Sequence, residues 1–321
     1  MSPSVLIGID LGGTNVRVGA VSRQGEVLAW AEAPIEASRG PQAGLQRISG
    51  LIEQVLAETR GGALMGIGMG ATGPIDRQRG SIQNPYTLPT WEDVPIVQPL
   101  RERFGVPVAL ENDADAAALG EAWVGAGRDR ERVLMVTVGT GIGSAFIYRG
   151  EVYRGVGGAH PEAGHLVLDM NGPPCYCGAR GCWESLAAGP AIARRAQALA
   201  QGAPTIMLDL AGGRLESIDA RVVVMAAQAG DALAQRVVQE TAAYLALGLV
   251  NLLIAFLPDV VILGGGVMRA YPVFAPYLHS MIKRHSVVVP LDAVQLEVAR
   301  LGVQAGAVGA AYAALKLIKG G

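Results

Sequence analysis

The sequence predicts an α/β protein built from two related lobes. Two observations carry this. Short apolar strands alternate with helical segments along the chain, and a strand–glycine turn–strand opening occurs twice, at residues 5–27 and again from Val133 to Glu151. Its 321 residues suit about two domains at roughly 150 residues each. Acidic and glycine-rich positions fall where strands end, which is where ligands of such folds bind.

The elements follow in order. Val5–Asp10 is an apolar run ending in an acid, Leu11-Gly12-Gly13-Thr14 is a turn, and Val16, Val18 and Ala20 alternate with polar or small residues as a strand does. A second turn at Gln24-Gly25-Glu26 leads to the strand Val27–Trp30. Leu45, Ile48, Ile52, Val55 and Leu56 lie at helical spacing within 41–60. Leu64–Gly70 is a strand, and residues 71–94 read as a Pro-rich loop opening on Ala71-Thr72-Gly73-Pro74. Pro107–Leu110 is a short strand, with Asn112-Asp113 at its end and an alanine-rich helix over 114–124. Leu134–Val138 opens the second lobe and runs into Gly139-Thr140-Gly141-Ile142-Gly143. Helices are expected at 189–201 and 219–257, a buried strand at Val260–Leu263 before Gly264-Gly265-Gly266, and a closing helix at 301–318.

Composition removes several classes. Half the residues are hydrophobic and 17% are charged, too little charge for a disordered chain. The net charge of −2 gives no footprint for nucleic acid or an anionic membrane. Met1-Ser2-Pro3-Ser4 lacks the start of a signal peptide. The apolar stretch 242–257 contains Asn251, is short for a membrane span and stops at Pro258, so it is expected to be a buried helix. The reading is a cytoplasmic protein with no membrane partner.

Three glycine turns could hold phosphate: Asp10-Leu11-Gly12-Gly13-Thr14, Gly139-Thr140-Gly141 and Gly264-Gly265-Gly266. Glycine permits close backbone approach and frees amides for anionic oxygens. A P-loop is excluded, because no Gly-x-x-x-x-Gly-Lys occurs and the only lysines are Lys283, Lys316 and Lys319. The dinucleotide fingerprint also fails, since residues 139–143 lead into a strand and not a helix.

All three cysteines lie within eight residues, as Cys175, Cys177 and Cys182, shortly after Glu162-Ala163-Gly164-His165. Three thiolates and one imidazole make a closed tetrahedral zinc site, structural because no position is left for a reacting water. His160 and Asp169 are rival candidates for the fourth ligand. A metal that pins this loop also pins Glu162 and Glu184, carboxylates suited to a polar ligand's hydroxyls.

At this point the motifs resemble the ROK family, and within it the bacterial ATP-dependent glucokinases. The matching pieces are Asp10–Thr14, Glu111-Asn112-Asp113-Ala114, Val138–Gly143, Glu162–His165, the Cys175–Glu184 run and Gly264–Val267, in family order. The resemblance implies a two-lobe actin-like ATPase (ribonuclease H-like) fold with a cleft and a structural zinc loop. The small lobe would be residues 1–119 plus the last helix, 301–321, and the large lobe 120–300 with the zinc site. It implies Asp113 as catalytic base, with Gly73, Asn112, Glu162, His165 and Glu184 on the sugar. Phosphate contacts would fall on Gly12, Gly13, Thr14, Gly139, Thr140 and Gly141, adenosine near Gly265 and Gly266, and Asp10 would help place Mg-ATP. Metal ligands would be His165, Cys175, Cys177 and Cys182. ATP, Mg²⁺ and Zn²⁺ are the implied cofactors, and a homodimer or homotetramer the implied assembly.

One departure concerns the sugar. Many glucokinases of the family carry Asn-Leu-Pro-x-Trp where this chain has Thr87-Leu88-Pro89-Thr90-Trp91, and His160-Pro161 is similar to fructose-phosphorylating relatives. Glucose is the leading substrate, with mannose, fructose, N-acetylglucosamine and N-acetylmannosamine as alternatives. A sugar-responsive repressor of the same family is a further alternative. Its helix-turn-helix would precede the first glycine motif, which here already starts at Asp10. A non-catalytic sugar- or nucleotide-binding protein is another, against which Asp113 and both phosphate turns argue.

Overall fold

Val5, Ile7 and Ile9 belong to one buried apolar cluster and Leu6, between them, to another, so the strand they form is covered on both faces. The computed structural model describes residues 4–59, 61–285 and 287–320. That strand, β1 (Ser4–Leu11), sits at the centre of a five-stranded sheet with β2 (Asn15–Ser22), β3 (Val27–Pro34), β4 (Ala63–Ala71) and β8 (Val108–Asn112), in the order β3-β2-β1-β4-β8. β1, β2 and β3 form an antiparallel meander, while β4 and β8 join it in parallel. Parallel pairing brings the ends of β1, β4 and β8 to the same edge, so Asp10, Gly73 and Asn112 lie at or just beyond it.

Helix α1 (Pro41–Glu58) covers β2 and β3, burying Ile48, Ile52 and Val55. Residues 71–94, expected to be a loop, contain β5 (Ile75–Asp76), β6 (Ser81–Ile82) and β7 (Val94–Pro95), a three-stranded sheet. Two-residue strands are too short to show a period in sequence. Helix α2 (Val97–Phe104) leads to β8, and α3 (Asp113–Val124) follows it directly. The closing helix α10 (Ala305–Gly320) packs on α3, β1 and β4. Its small residues have a geometric reason. A Cβ on Gly8 would lie 1.8 Å from the Ala307 carbonyl oxygen, and one on Gly309 would lie 1.6 Å from that of Ala116. The backbones are in contact and leave no room for side chains.

The second sheet has the order β11-β10-β9-β12-β13, made of β9 (Arg132–Val138), β10 (Ile142–Tyr148), β11 (Glu151–Val152), β12 (Val260–Gly264) and β13 (Gln295–Val298). The helices between are α4 (Trp183–Ala187), α5 (Gly189–Ala200), α6 (Ile206–Leu210), α7 (Ala220–Gln228), α8 (Ala232–Phe256) and α9 (Tyr271–His285). The single helix expected over 219–257 is two. Asp219 caps α7 through the Val222 N–H, and Asp231 caps α8 through the Ala234 N–H. Helix α8 is long and apolar enough to cross a membrane by length and composition, yet 61% of its most apolar window is buried in the protein.

Two compact units result. The first takes residues up to Val133, Ala145–His160 and everything from Ala299 onward. The second takes Leu134–Ser144 and Pro161–Val298.

Candidate functional site

In the first unit, β8 ends on Glu111 and Asn112, and the helix starts at Asp113. Asn112 is the N-cap of α3, its Oδ1 accepting from the Ala114 N–H at 2.9 Å, while Asp113 Oδ1 accepts from the same N–H at 2.8 Å. This tie holds both side chains at the strand end. Burial pushes the Asp113 carboxyl up to about 6; the Ala114 N–H and His160 lower it, while Asp10 and Asp115 raise it further. A carboxylate in that range is a competent proton acceptor near neutral pH. Gly73 lies alongside, since a Cβ there would meet Asn112 Nδ2 at 3.0 Å.

Asp10, at the end of β1, is tied to Arg17 across the hairpin at 3.1 Å, and burial raises its pKa against that pairing. The turn beyond it is closed by the Gly12 N–H on the Asn15 carbonyl at 3.0 Å. Gly13 has no room for a side chain, because a Cβ would lie 2.7 Å from the Thr87 carbonyl oxygen. The loop carrying Thr87 therefore rests on the first glycine turn. A residue not singled out in the sequence holds it there. Asn84 is fully buried, accepts from the N–H groups of Tyr86 and Thr87, and donates to Thr87 Oγ1 at 2.7 Å and the Thr72 carbonyl at 3.2 Å. Its signal was an Asn-Pro turn inside a segment that otherwise reads as loop.

In the second unit, the Gly139–Ile142 turn is closed by the Gly139 N–H on the Gly141 carbonyl. Gly265, at φ +88°, would place a Cβ 2.4 Å from the Val138 carbonyl, and Gly266 N is the nearest atom to a Cβ on Gly139. The structure thus brings Gly139, Gly265 and Gly266 together. Glu184 belongs to the same cluster. Its Oε2 accepts from the Ile142 N–H at 2.8 Å, and a Cβ on Gly141 would lie 2.3 Å from that oxygen. Gly141 is glycine because the carboxylate occupies the space. The spacing of Glu184 after Cys182 did not reveal this contact, which joins the cysteine loop to the glycine turn.

The loop is folded for metal. His165, Cys175, Cys177 and Cys182 each offer a ligand atom within 4.8 Å of the others. His160 and Asp169 are not members of the group, which decides the fourth ligand in favour of His165. Cys177 Sγ and Cys182 Sγ are 3.5 Å apart, and Cys175 Sγ lies 3.5 Å from His165 Nδ1. Tetrahedral zinc requires edges of about 3.6–3.8 Å, and a disulfide about 2.05 Å, so the donors fit zinc. His165 would bind through Nδ1, and its Nε2 faces Tyr176 Oη at 3.1 Å. The chain reverses within Cys175–Ala179, with Gly178 at φ +94°, and Gly181 at φ +66° lies against the Asp169 carbonyl. Glu162 is exposed beside this site, its carbonyl accepting from the His165 N–H. Trp183 anchors the loop's end. It is fully buried on α8, where any Cβ on Gly248 would overlap its ring.

Comparison with known proteins agrees along the whole chain. Residues 6–317 match the profile of the ROK family. A glucokinase of Thermotoga maritima is 35% identical over 278 residues, covering 86% of this chain and 87% of that protein. A ROK hexokinase structure from Thermus thermophilus superposes with a TM-score of 0.86 at 37% identity, covering 99% of this chain and 100% of that one. A ROK glucokinase of Streptomyces griseus, in complex with glucose and AMPPNP, superposes with a TM-score of 0.82 at 31% identity over 98% of this chain and 100% of that one.

Proposed function

This chain belongs to the ROK family, and from that premise we propose that it is a glucokinase that transfers the γ-phosphoryl group of ATP to the 6-hydroxyl of glucose. The observation that carries the reading is the half-buried Asp113 carboxylate, held at the end of β8 by the Ala114 N–H, with desolvation raising its pKa to about 6. Asp113 accepts the proton of the sugar hydroxyl as that oxygen attacks the γ-phosphorus. The bond from the γ-phosphorus to the bridging oxygen breaks, and ADP leaves. Phosphoryl transfer of this kind depends on positioning and charge stabilisation.

Asn112 and Gly73 position the sugar in the first unit. Glu162, His165 and Glu184 do so in the second, Glu184 through Oε1, because Oε2 is committed to Ile142. Backbone amides of Gly12, Gly13 and Thr14, and of Gly139, Thr140 and Gly141, hold phosphate oxygens. Gly265 and Gly266 lie beside adenosine, Gly266 with open space where a side chain would stand. Mg²⁺ arriving with ATP offsets phosphate charge, with Asp10 helping to place the complex. Zinc at His165, Cys175, Cys177 and Cys182 keeps the loop folded. The enzyme works in the cytoplasm, as a homodimer or homotetramer, without nucleic acid or membrane partners.

The test is ADP release with Mg-ATP against glucose, mannose, fructose, N-acetylglucosamine and N-acetylmannosamine. Glucose is expected to give the highest kcat/KM. A clear preference for another sugar keeps the chemistry and overturns glucose. Asp113→Asn is expected to lower kcat by about 10²–10⁴-fold while sparing glucose binding, measured by calorimetry. Unchanged kcat removes Asp113 as the base.

A further inference from the structure

Two buried carboxylates bracket the Asn112–Asp113 pair, Glu111 before it and Asp115 after it, with side chains 8% and 2% exposed. Neither touches Asp113 through a hydrogen bond, and the reaction described above uses neither. One cation serves both. Arg154, just beyond β11 and itself 17% exposed, bonds Glu111 Oε2 and stands 3.7 Å from Asp115 Oδ2. Arg77 braces the other side of Glu111 at 3.0 Å and donates to the Leu110 carbonyl at 3.1 Å. Asp115 Oδ1 is buried with no hydrogen-bond partner. Burial pushes the Asp115 carboxyl up to about 6, and His160, Arg154 and Arg77 act against that to favour its charged form.

We infer that Arg154 is a positioning residue for the phosphoryl-transfer base. By bracing Glu111 and Asp115 on either side of Asn112–Asp113, it fixes the direction of that pair and offsets the negative charge beside Asp113. The inference rests on Asp113 being the base.

Charge is the currency of the argument. The groups acting on Asp113 are Asp10 from β1, Asp115 from α3 and His160. Those acting on Asp115 are His160, Arg154, Glu111 from β8 and Arg77. Helix α10, packed against α3, presents glycine and alanine there and no charge. Without Arg154, Glu111 keeps only Arg77, and Asp115 keeps His160 and Arg77; the loss of one positive charge makes Asp113 harder to ionise. Without the Asp115 charge, Asp113 ionises more readily. Where Asp115 is charged, above about pH 6, the two substitutions act in opposite directions.

The experiment is the pH profile of kcat/KM for glucose in Arg154→Gln, Asp115→Asn and the double variant. The acid limb is expected to move up by about one pH unit in Arg154→Gln, down in Asp115→Asn, and back toward the parent in the double variant. Arg154 also lines an open cavity of about 910 Å³ shared with Arg77, Arg101 and Lys316, so small solutes can reach its position. Free guanidinium is accordingly expected to restore part of kcat to Arg154→Ala at concentrations that leave the parent enzyme unaffected. Limbs that stay in place in both single variants, or move in the same direction, overturn the inference, even where kcat falls. Should Arg154→Gln not fold, an unmoved limb in Asp115→Asn alone suffices to overturn it. Failure of the underlying base assignment shows separately, as turnover retained by Asp113→Asn.

Discussion

Asp113 carries the proposed chemistry, and Asn84 holds the loop beside the first glycine turn. With its carboxyl at about 6, Asp113, the proposed base, is ionised above that pH and protonated below it. The kcat/KM of the enzyme is expected to fall about tenfold per unit below pH 6, checked by initial rates in buffers of constant ionic strength. A profile flat down to pH 4.5 contradicts the assignment. The same burial has a stability consequence of opposite sign. Because the folded-state value lies above the ordinary 3.8, Asp113 favours the folded state when protonated, and that contribution is lost as pH rises from about 4 to about 6. The Asn84 side chain makes four hydrogen bonds from a fully buried position. Asn84→Ala is expected to cost about 1–3 kcal/mol and to raise the KM for ATP, since the Thr87 loop it pins lies against Gly13, a proposed phosphate contact. Denaturant melts and substrate titration read both effects.

Among the elements, the cysteine loop and the closing helix carry the sharpest expectations. The two helices that follow the loop reach the glycine turn, α4 through Glu184 on the Ile142 N–H and α5 through the Gly189 N–H on the Gly139 carbonyl at 2.8 Å. Stripping zinc with a strong chelator is therefore expected to lower Tm by about 5 °C or more and to weaken ATP binding, followed by calorimetry with AMPPNP. Cys177→Ser should reproduce both. Nucleotide affinity that survives zinc loss separates the loop from the turn. Helix α10 makes a second case. Gly309→Val places a side chain where the Ala116 carbonyl already sits, 1.6 Å from the Cβ position. A loss at or beyond the usual overpacking range of about 1–3 kcal/mol is expected in urea melts, because the obstacle is backbone and cannot rotate away.

For the whole molecule, the expected assembly is measured by light scattering, as a mass twice or four times the 33.2 kDa of one chain; a monomer at assay concentration rules it out. Much of this protein was legible from its residues. The fold class followed from alternating apolar strands and helices, and the zinc donors from three cysteines within eight residues, because both signals are local in the chain. The break at Asp231 was missed because alanine-rich sequence on both sides hides an N-cap, and the short strands between Ile75 and Pro95 were missed because two residues carry no period. The fourth metal ligand was open among His160, His165 and Asp169 until the loop's own turns placed His165 Nδ1 beside Cys175. The contact of Glu184 with Ile142, 42 residues apart, and the brace of Arg154 on Glu111, 43 apart, lay beyond local reading. Sequence by itself determined the family, the strand-end turns and the three cysteine donors, since these rest on residue types at short spacing. Tertiary structure alone decided which buried charges share a partner and which backbones touch, because those depend on parallel strand register and helix packing that bring distant segments to one place.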